Sequence, residues 1–405
     1  MLGNYLKSRD FPIHALAAWW AMWLVVSHSG LNEFLTPSPA AVAQFIALVG
    51  AFLGGHWLVR HQSALGLRLA ESQPRPFHFN TPRMRVALQG SALVSAAMLL
   101  LSLRLSGALS DDFIVYYARL RLGEGGPDGL TGIRVLDVLT KIFAFPMSYT
   151  VILVILATDA RHFRFTLLLC IVNLLCFSYL WQVNYPLIHL FWFLVFHSLI
   201  QAHRKGHFDG RVTAVMLVLF STLLASAVNR FGGDVLGGLQ RYIVGYHLIG
   251  FSYYDYQLQD PSSILHVHSY GRSSLGFLDQ MLEAASKVVG LTYQAASFEN
   301  SNFNDQAVDI GRSQVREFNA FGTFLFSLYR DFHIVGILVG GFLYGAVATH
   351  TLYSGARNWH CGALFLVLAS AWMMGMMVNP LEQAYFWFVV VALGMLALVN
   401  KGLRW

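Results

Sequence analysis

Charge is scarce in this chain of 405 residues: Lys, Arg, Asp and Glu make up 12% of it, against 56% apolar residues and a mean hydropathy of +0.53. That balance excludes an ordinary soluble domain, because 10 Trp, 17 Tyr and 31 Phe with their aliphatic neighbours exceed what such a domain buries. Cysteine is scarcer still. Cys170, Cys176 and Cys361 all fall within apolar runs, where a thiol packs as a small hydrophobe, so neither disulfides nor thiolate ligands are expected. A cleavable leader is not expected either, since Lys7, Arg9 and Asp10 precede an apolar run without a small-residue cleavage site. No His, Asp or Glu group has metal-ligand spacing: His266 and His268 stand two apart without a matched third ligand, and no metal or other cofactor is expected. The spans carry almost no charge beyond Asp137 and Lys141 and show no internal repeat, which speaks against a transporter. The expected surroundings are membrane lipid, not nucleic acid.

What is present is a series of apolar runs near 12–28, 39–59, 86–103, 135–157, 165–181, 186–202, 212–228, 334–353, 361–378 and 382–399. Most approach the roughly 20 residues that a helix needs to cross a bilayer. They predict an all-α integral membrane protein of about ten transmembrane helices, with a range of 10–12, forming one polytopic domain over 1–405. A shorter apolar piece at 320–329 reads as a re-entrant segment leading into the eighth span.

Orientation follows from the short connections. With the N-terminus inside, Lys7, Arg9, Arg60, Arg161, Arg164, Arg204, Lys205, Arg357 and Lys401 all fall on the cytoplasmic side, and the short outer loops 29–38, 182–185 and 379–381 carry no Lys or Arg. The positive-inside rule therefore predicts cytoplasmic termini. Two long outer segments, 104–134 and 229–333, hold eleven basic residues, of which only Lys287 is lysine. Solvated loop charge, balanced by nearby Asp and Glu, accounts for any one of these arginines. As a group they suit an anionic ligand, since the guanidinium fork matches phosphate oxygens and keeps its charge in partly dry surroundings.

The larger loop has internal order. Ser274 reads as the N-cap of an amphipathic helix over 275–289, with Phe277, Leu278, Met281, Leu282, Ala285, Val288 and Val289 on one face, Asp279, Gln280 and Glu283 on the other, and Gly290 as the stop. Such a helix is expected to lie on the membrane surface. Ahead of it, Gln240–Tyr256 is rich in tyrosine, including Tyr242, Tyr246 and Tyr254; an interfacial aromatic belt and sugar stacking explain these equally well. Behind it, Glu299–Asp309 reads as a polar loop, and Arg312 and Arg316 share a face if a helix starts there. In the smaller loop, Asp111-Asp112 is either an acidic pair for a metal or a helix N-cap, and Arg119 and Arg121 follow it. Lys141, near the outer end of its span, reads as a snorkelling side chain.

The stretch Phe318 to Gly345 resembles a segment of the bacterial oligosaccharide repeat-unit polymerases, the Wzy-type O-antigen polymerases. Asn319, Thr323, Tyr329, the Asp331-Phe332 pair and the glycines Gly336, Gly341 and Gly345 carry the likeness, and His333 stands where a Gly is common in that pattern. The resemblance implies a multi-pass protein of the bacterial inner membrane with its active site at the periplasmic face. There it would join undecaprenyl-diphosphate-linked oligosaccharide repeats into a surface polysaccharide, with a chain-length regulator protein as a partner. An O-antigen ligase, or another glycosyltransferase using lipid-linked sugars, is the alternative within the same chemistry. The leaving group is already a diphosphate, so arginines suffice to stabilise it without a metal, and Arg241, Arg272, Arg312, Arg316 and Arg119 are the candidates. The acceptor hydroxyl needs a general base, for which His266, His268, Glu299 and Asp331 are the candidates. Asp331 reads equally as a helix N-cap. Tyr242, Tyr246, Tyr254, Asn319, Thr323 and Tyr329 are expected around the sugars.

Overall fold

A computed structural model describes residues 8–29, 31–67, 81–109, 116, 130–230, 235, 237, 240–304, 307–312, 315, 317–318 and 323–401. The architecture is all-α; the sole β ladder among the described residues pairs two residues with two, Val308–Asp309 antiparallel to Glu317–Phe318. The helices are α1 (Phe11–Val26), α2 (Pro39–Leu67), α3 (Thr81–Leu105), α4 (Arg134–Thr158), α5 (Arg164–Trp181), α6 (Tyr185–Lys205), α7 (Gly210–Arg230), α8 (Tyr246–Gln259), α9 (Gly276–Val288), α10 (Ala296–Asn304), α11 (Phe324–Ser354), α12 (Trp359–Met374) and α13 (Ala384–Lys401). Among the described residues, six segments are long and apolar enough to cross a membrane: Pro39–Gln62, Pro82–Leu105, Arg134–Thr158, Arg164–Trp181, Tyr185–Lys205 and Phe324–Ser354. Helices α1, α7, α12 and α13 are apolar but shorter in their hydrophobic stretch. The chain fits a multi-pass membrane protein.

Two stretches read as loop are helical. Tyr246–Gln259 is a helix that buries Leu248, Ile249, Phe251, Tyr253 and Tyr254, because Phe251 meets Trp20 and Phe45 in the interior. Ala296–Asn304 is the short helix α10, whose origin lies in α9 and is described below.

The chain divides into two compact units. The first comprises Met1–Gln73, Ser198–Tyr353 and Leu368–Gln383. Its centre is a reciprocal indole lock: Trp20 Nε1 donates to the Trp372 carbonyl at 3.1 Å, and Trp372 Nε1 donates to the Leu16 carbonyl at 3.1 Å. Phe52 stacks on Trp372 with ring centroids 4.3 Å apart. Helices α2 and α11 pack backbone to backbone. A Cβ at Gly345 would overlap the Phe52 backbone, and one at Gly341 would come within 2.8 Å of the Leu48 carbonyl oxygen. Small residues permit this approach, in which dispersion replaces the hydrophobic drive that lipid removes.

The second unit comprises Pro74–His197, Ser354–Val367 and Ala384–Trp405. Asn173 Nδ2 donates to the Ala92 carbonyl at 3.1 Å, Tyr149 OH donates to the Pro186 carbonyl at 2.9 Å, and Phe145 stacks on Phe177 at 4.5 Å. A π-helical turn over Thr140–Ala144 interrupts α4, and Lys141 Nζ sits 3.9 Å above the Trp181 ring. Cys170 is buried, Cys176 and Cys361 are half-buried, and all three are free thiols.

Candidate functional site

Helix α11 is two helices joined by a break. Phe332 (φ −146°, ψ 27°) and His333 (φ 51°, ψ −137°) leave the helical region, so Phe324–Asp331 forms a short first half and 334–354 the long second half. Neither Gly nor Pro makes the break. His333 adopts a conformation that favours glycine, at a cost on the order of 1–3 kcal/mol. Of the other non-glycine residues with positive φ, Asp159 and Gln182 are ordinary left-handed helix C-caps, and Tyr270 (φ 54°) lies in the loop facing the break.

The first half of α11 ends on Arg330 and Asp331, each only 2% exposed. Charges taken out of water need partners, and these two find them in two other segments. Asp331 organises the turn that enters α9: its Oδ1 accepts from Ser269 Oγ at 2.5 Å and Ser273 N at 3.0 Å, and its Oδ2 accepts from Ser274 N at 2.8 Å. The Arg330 carbonyl accepts from Ser269 N at 3.0 Å. The Arg330 guanidinium pairs with the Glu299 carboxylate, donates to Asn300 Oδ1, and donates to the Ala296 carbonyl at 3.1 Å; its Nε is buried without a partner.

Asn300 carries the network onward. Its Nδ2 donates to Ser273 Oγ at 2.7 Å and to Glu382 Oε1 at 3.0 Å. The same Glu382 oxygen accepts from Ser327 Oγ and, at 3.3 Å, from Ser273 Oγ. Glu382 keeps part of its residue surface open, but its carboxyl end is enclosed by protein and faces neutral donors. Desolvation pushes its pKa up to about 7, against the pull of those hydrogen bonds. Gly276 lies against it; a Cβ there would come within 3.1 Å of Glu382 Cα.

Helix α9 turns its polar side inward. Asp279 Oδ2 accepts from Ala296 N at 2.6 Å and Glu283 Oε2 accepts from Ala295 N at 2.8 Å, so two carboxylates of α9 satisfy the N-terminal amides of α10. This external capping explains why the polar sequence after 296 is helical. Lys287, 2.6 Å from Glu283 Oε1, and the Ala295 amide hold Glu283 below its ordinary pKa. The opposite face, with Leu278, Met281, Leu282, Val288 and Val289, is exposed. The helix runs Gly276–Val288 with Leu275 at its N-cap, not Ser274: the Ser274 amide goes to Asp331, and its hydroxyl finds no partner.

Beside this knot runs a ladder of rings. His268 stacks on His333 with centroids 4.0 Å apart, His333 on Tyr329 at 4.8 Å, and Tyr270 tilts against His268 at 5.5 Å. His266 meets Tyr329 edge-on at 6.4 Å, and Tyr254 does so at 6.2 Å.

The expected site residues therefore separate. His266, His268 and Tyr329 come together in the ladder. Glu299 and Asp331 join the polar knot, but Glu299 is held in an ion pair and both Asp331 oxygens are taken, which makes them positioning groups rather than free bases. Arg272 is turned to the protein: its Nε lies 3.2 Å from Asp279 Oδ1, its Nη2 donates to the Gln294 carbonyl at 2.5 Å, and its guanidinium covers the Tyr293 ring at 4.9 Å. Arg312 is exposed, with its amide on the Glu33 carbonyl at 2.9 Å. Tyr254 is wholly buried with its hydroxyl on Gln44, which removes it from contact with a sugar. Thr323 is buried too, and its Oγ1 accepts from Phe326 N at 3.2 Å as the cap of α11. Tyr246 opens α8, and Arg241 and Tyr242 lie in the π-helical turn Gln240–Gly245 before it, where their backbone alone is described. Arg316, Asn319, Asp111, Asp112, Arg119 and Arg121 fall outside the described residues.

Arg330 and Glu382 escape the sequence reading, and His333 enters it only as a departure from a Gly in the polymerase-like pattern. Each is a single titratable side chain at the edge of an apolar run, and a charge in that setting is itself a signal. Among the described residues no three His, Cys, Asp or Glu gather as a metal site would require. Compared with known proteins, the chain matches no family model, no curated protein and no solved structure.

Proposed function

We propose that this protein is a glycosyltransferase of the bacterial inner membrane that polymerises undecaprenyl-diphosphate-linked oligosaccharide repeats at the periplasmic face. In this reading α1, α7, α12 and α13 complete ten crossings with both termini cytoplasmic, and the segment from 229 to 333 is the periplasmic loop. The observation that carries the reading is that Arg330 and Asp331 lie within the polymerase-like stretch 318–345 and are the residues on which 269–274, 296–300 and, through Asn300, Glu382 converge. The exposed apolar face of α9 suits a surface helix beside the entry of a polyprenyl tail.

In the reaction the acceptor hydroxyl forms a bond to the anomeric carbon, its proton passes to a base, and the bond to the diphosphate breaks with its electron pair leaving on phosphate. Arginine suffices to stabilise that developing charge, so the transfer is metal-independent here. Arg241, Arg312, Arg316 and Arg119 are the arginines for it, since Arg272 is engaged by Asp279. His266 and His268 are the imidazole bases. A chain-length regulator protein is the expected partner.

The test is the surface glycan of a strain lacking the gene. Lipid cores capped by a single repeat support polymerisation. Loss of all attached repeats, with lipid-linked polymer accumulating, assigns the ligase reaction instead, and an unchanged glycan refutes both. Topology is checked in a cysteine-free background, where an impermeant thiol reagent should label Cys introduced at exposed Ser262 and miss Cys at exposed His207.

A further inference from the structure

The ring ladder and the break in α11 belong to one device. His333 combines two unfavourable states: a backbone conformation that side chains rarely adopt, and an Nε2 that is buried with no hydrogen-bond partner. Glycine at this position would avoid both. The ring that its presence supplies lies between His268 and Tyr329, and the two outermost members of the ladder face outward: His268 is exposed, and Tyr270 is 71% exposed on a backbone that also has positive φ. The turn carrying them is held rigidly by Asp331 from below. Phe332, 48% exposed, stands edge-on to Tyr270 at 6.3 Å and closes a corner. Flat π faces with a nitrogen donor or acceptor at their edge match the C–H face and the hydroxyl rim of a pyranose ring.

We propose that Tyr270, His268 and Phe332 form a carbohydrate-stacking subsite for the acceptor sugar, and that His333 is its positioning residue, retained in a glycine-type conformation to hold the His268 ring in place. The identification of the sugar as the acceptor rests on the glycosyl-transfer reading above; the stacking subsite itself does not.

The test compares His333→Gly, which relieves the backbone and removes the ring, with His333→Phe, which keeps a stacking ring. Purified protein is assayed with the organism's own lipid-linked repeat, and binding of the free repeat-unit oligosaccharide is followed separately by saturation-transfer NMR, which needs no turnover. His333→Gly is expected to keep or raise Tm while raising the acceptor KM and the oligosaccharide Kd about five- to tenfold, with kcat falling as well because His268 is also a base in the proposed reaction, and His333→Phe to restore most of that loss. Tyr270→Ala should weaken oligosaccharide binding to a similar degree. A lower Tm in His333→Gly would make the ring a packing element and overturn the proposal, as would unchanged KM and Kd. Oligosaccharide binding by a wild-type protein that transfers no sugar would refute the enzymatic reading and leave the subsite standing.

Discussion

The two units of this chain bury polar atoms in opposite ways. In the second, Ser148 and Thr150 donate to the carbonyls of Ala144 and Pro146 one turn back, each at 2.8 Å, and Asn173 reaches Ala92; these are neutral bonds, and two of the three are local. Asp137 is the one buried charged residue of that unit among the described residues. In the first unit Asp255, Asp279, Glu283, Arg330 and Asp331 are all buried, and the bonds of Arg330, Asp331 and Glu382 link positions 30 to 109 residues apart. Neutral back-bonding lets a helix carry Ser or Thr through an apolar medium at small cost. A charged long-range knot is expensive, and it fixes a loop relative to a helix end, which is what a site needs and a lipid-facing bundle does not.

Breaking the knot should therefore hurt far more than breaking a back-bond. Arg330→Met removes the nearer partner of the part-exposed Glu299 carboxylate, leaving Arg272 at 3.9 Å, and removes a donor from Asn300 and the Ala296 carbonyl, for an expected loss of about 2–3 kcal/mol. Thr150→Val should lose about 1 kcal/mol or less. Thermal unfolding of the two variants in detergent measures the contrast, and comparable losses would erase the distinction drawn between the units.

Asp331→Asn sharpens the comparison from the functional side. One of its two oxygens becomes a donor facing the Ser273 or Ser274 amide, so the turn 269–274 loosens and His268 and Tyr270 lose their placement. The expected outcome is a fall in transfer rate of about tenfold to a hundredfold together with a lower Tm. A larger fall at unchanged Tm would mean that Asp331 is itself the base.

The sequence makes the second unit far more legible than the site in the first. The run at 165–181 and the helix Arg164–Trp181 coincide almost to the residue, because length and apolarity alone decide a lipid-facing helix. Residues 246–259 were legible only as aromatic, since what makes them helical is contact with Trp20 and Phe45 more than two hundred positions away. Likewise the capping of α10 by Asp279 and Glu283, and the meeting of Ser273, Asn300, Ser327 and Glu382, are tertiary facts with no local pattern. The break at Phe332–His333 carries no Gly or Pro to announce it. Asp331 was legible as important but not as the holder of another segment's turn.

Glu382 separates the units by pH. Its folded-state pKa of about 7 lies above the ordinary 4.5, so the folded protein holds a proton that the unfolded chain releases. Stability is then highest below pH 4.5 as far as this group is concerned, and declines as pH rises from 4.5 through about 7. Glu382→Gln, which cannot ionise, should flatten that decline in Tm between pH 5 and pH 8, whereas no variant in the Ser148–Thr150 stretch should alter it. A slope unchanged in Glu382→Gln would mean that the carboxyl titrates as it does in water.

The smallest effect concerns α9, whose two faces reproduce the contrast on one helix. Gln280 donates to Ser297 Oγ at 2.8 Å on the inward side, while Met281, next to it, is 55% exposed with Leu278 and Leu282. A carboxylate at 281 would sit among apolar groups that face lipid in the proposed arrangement, and its desolvation should lift α9 off the bilayer surface. Met281→Asp is therefore expected to lower polymerisation in proteoliposomes severalfold while leaving stability in detergent within about 0.5 kcal/mol of wild type, as for an exposed substitution. Gln280→Asp loses one neutral hydrogen bond and should change both readouts little. If the two substitutions lower membrane-dependent activity equally, the apolar face of α9 has no special relation to lipid. If Met281→Asp instead destabilises the protein in detergent, that face is covered by protein.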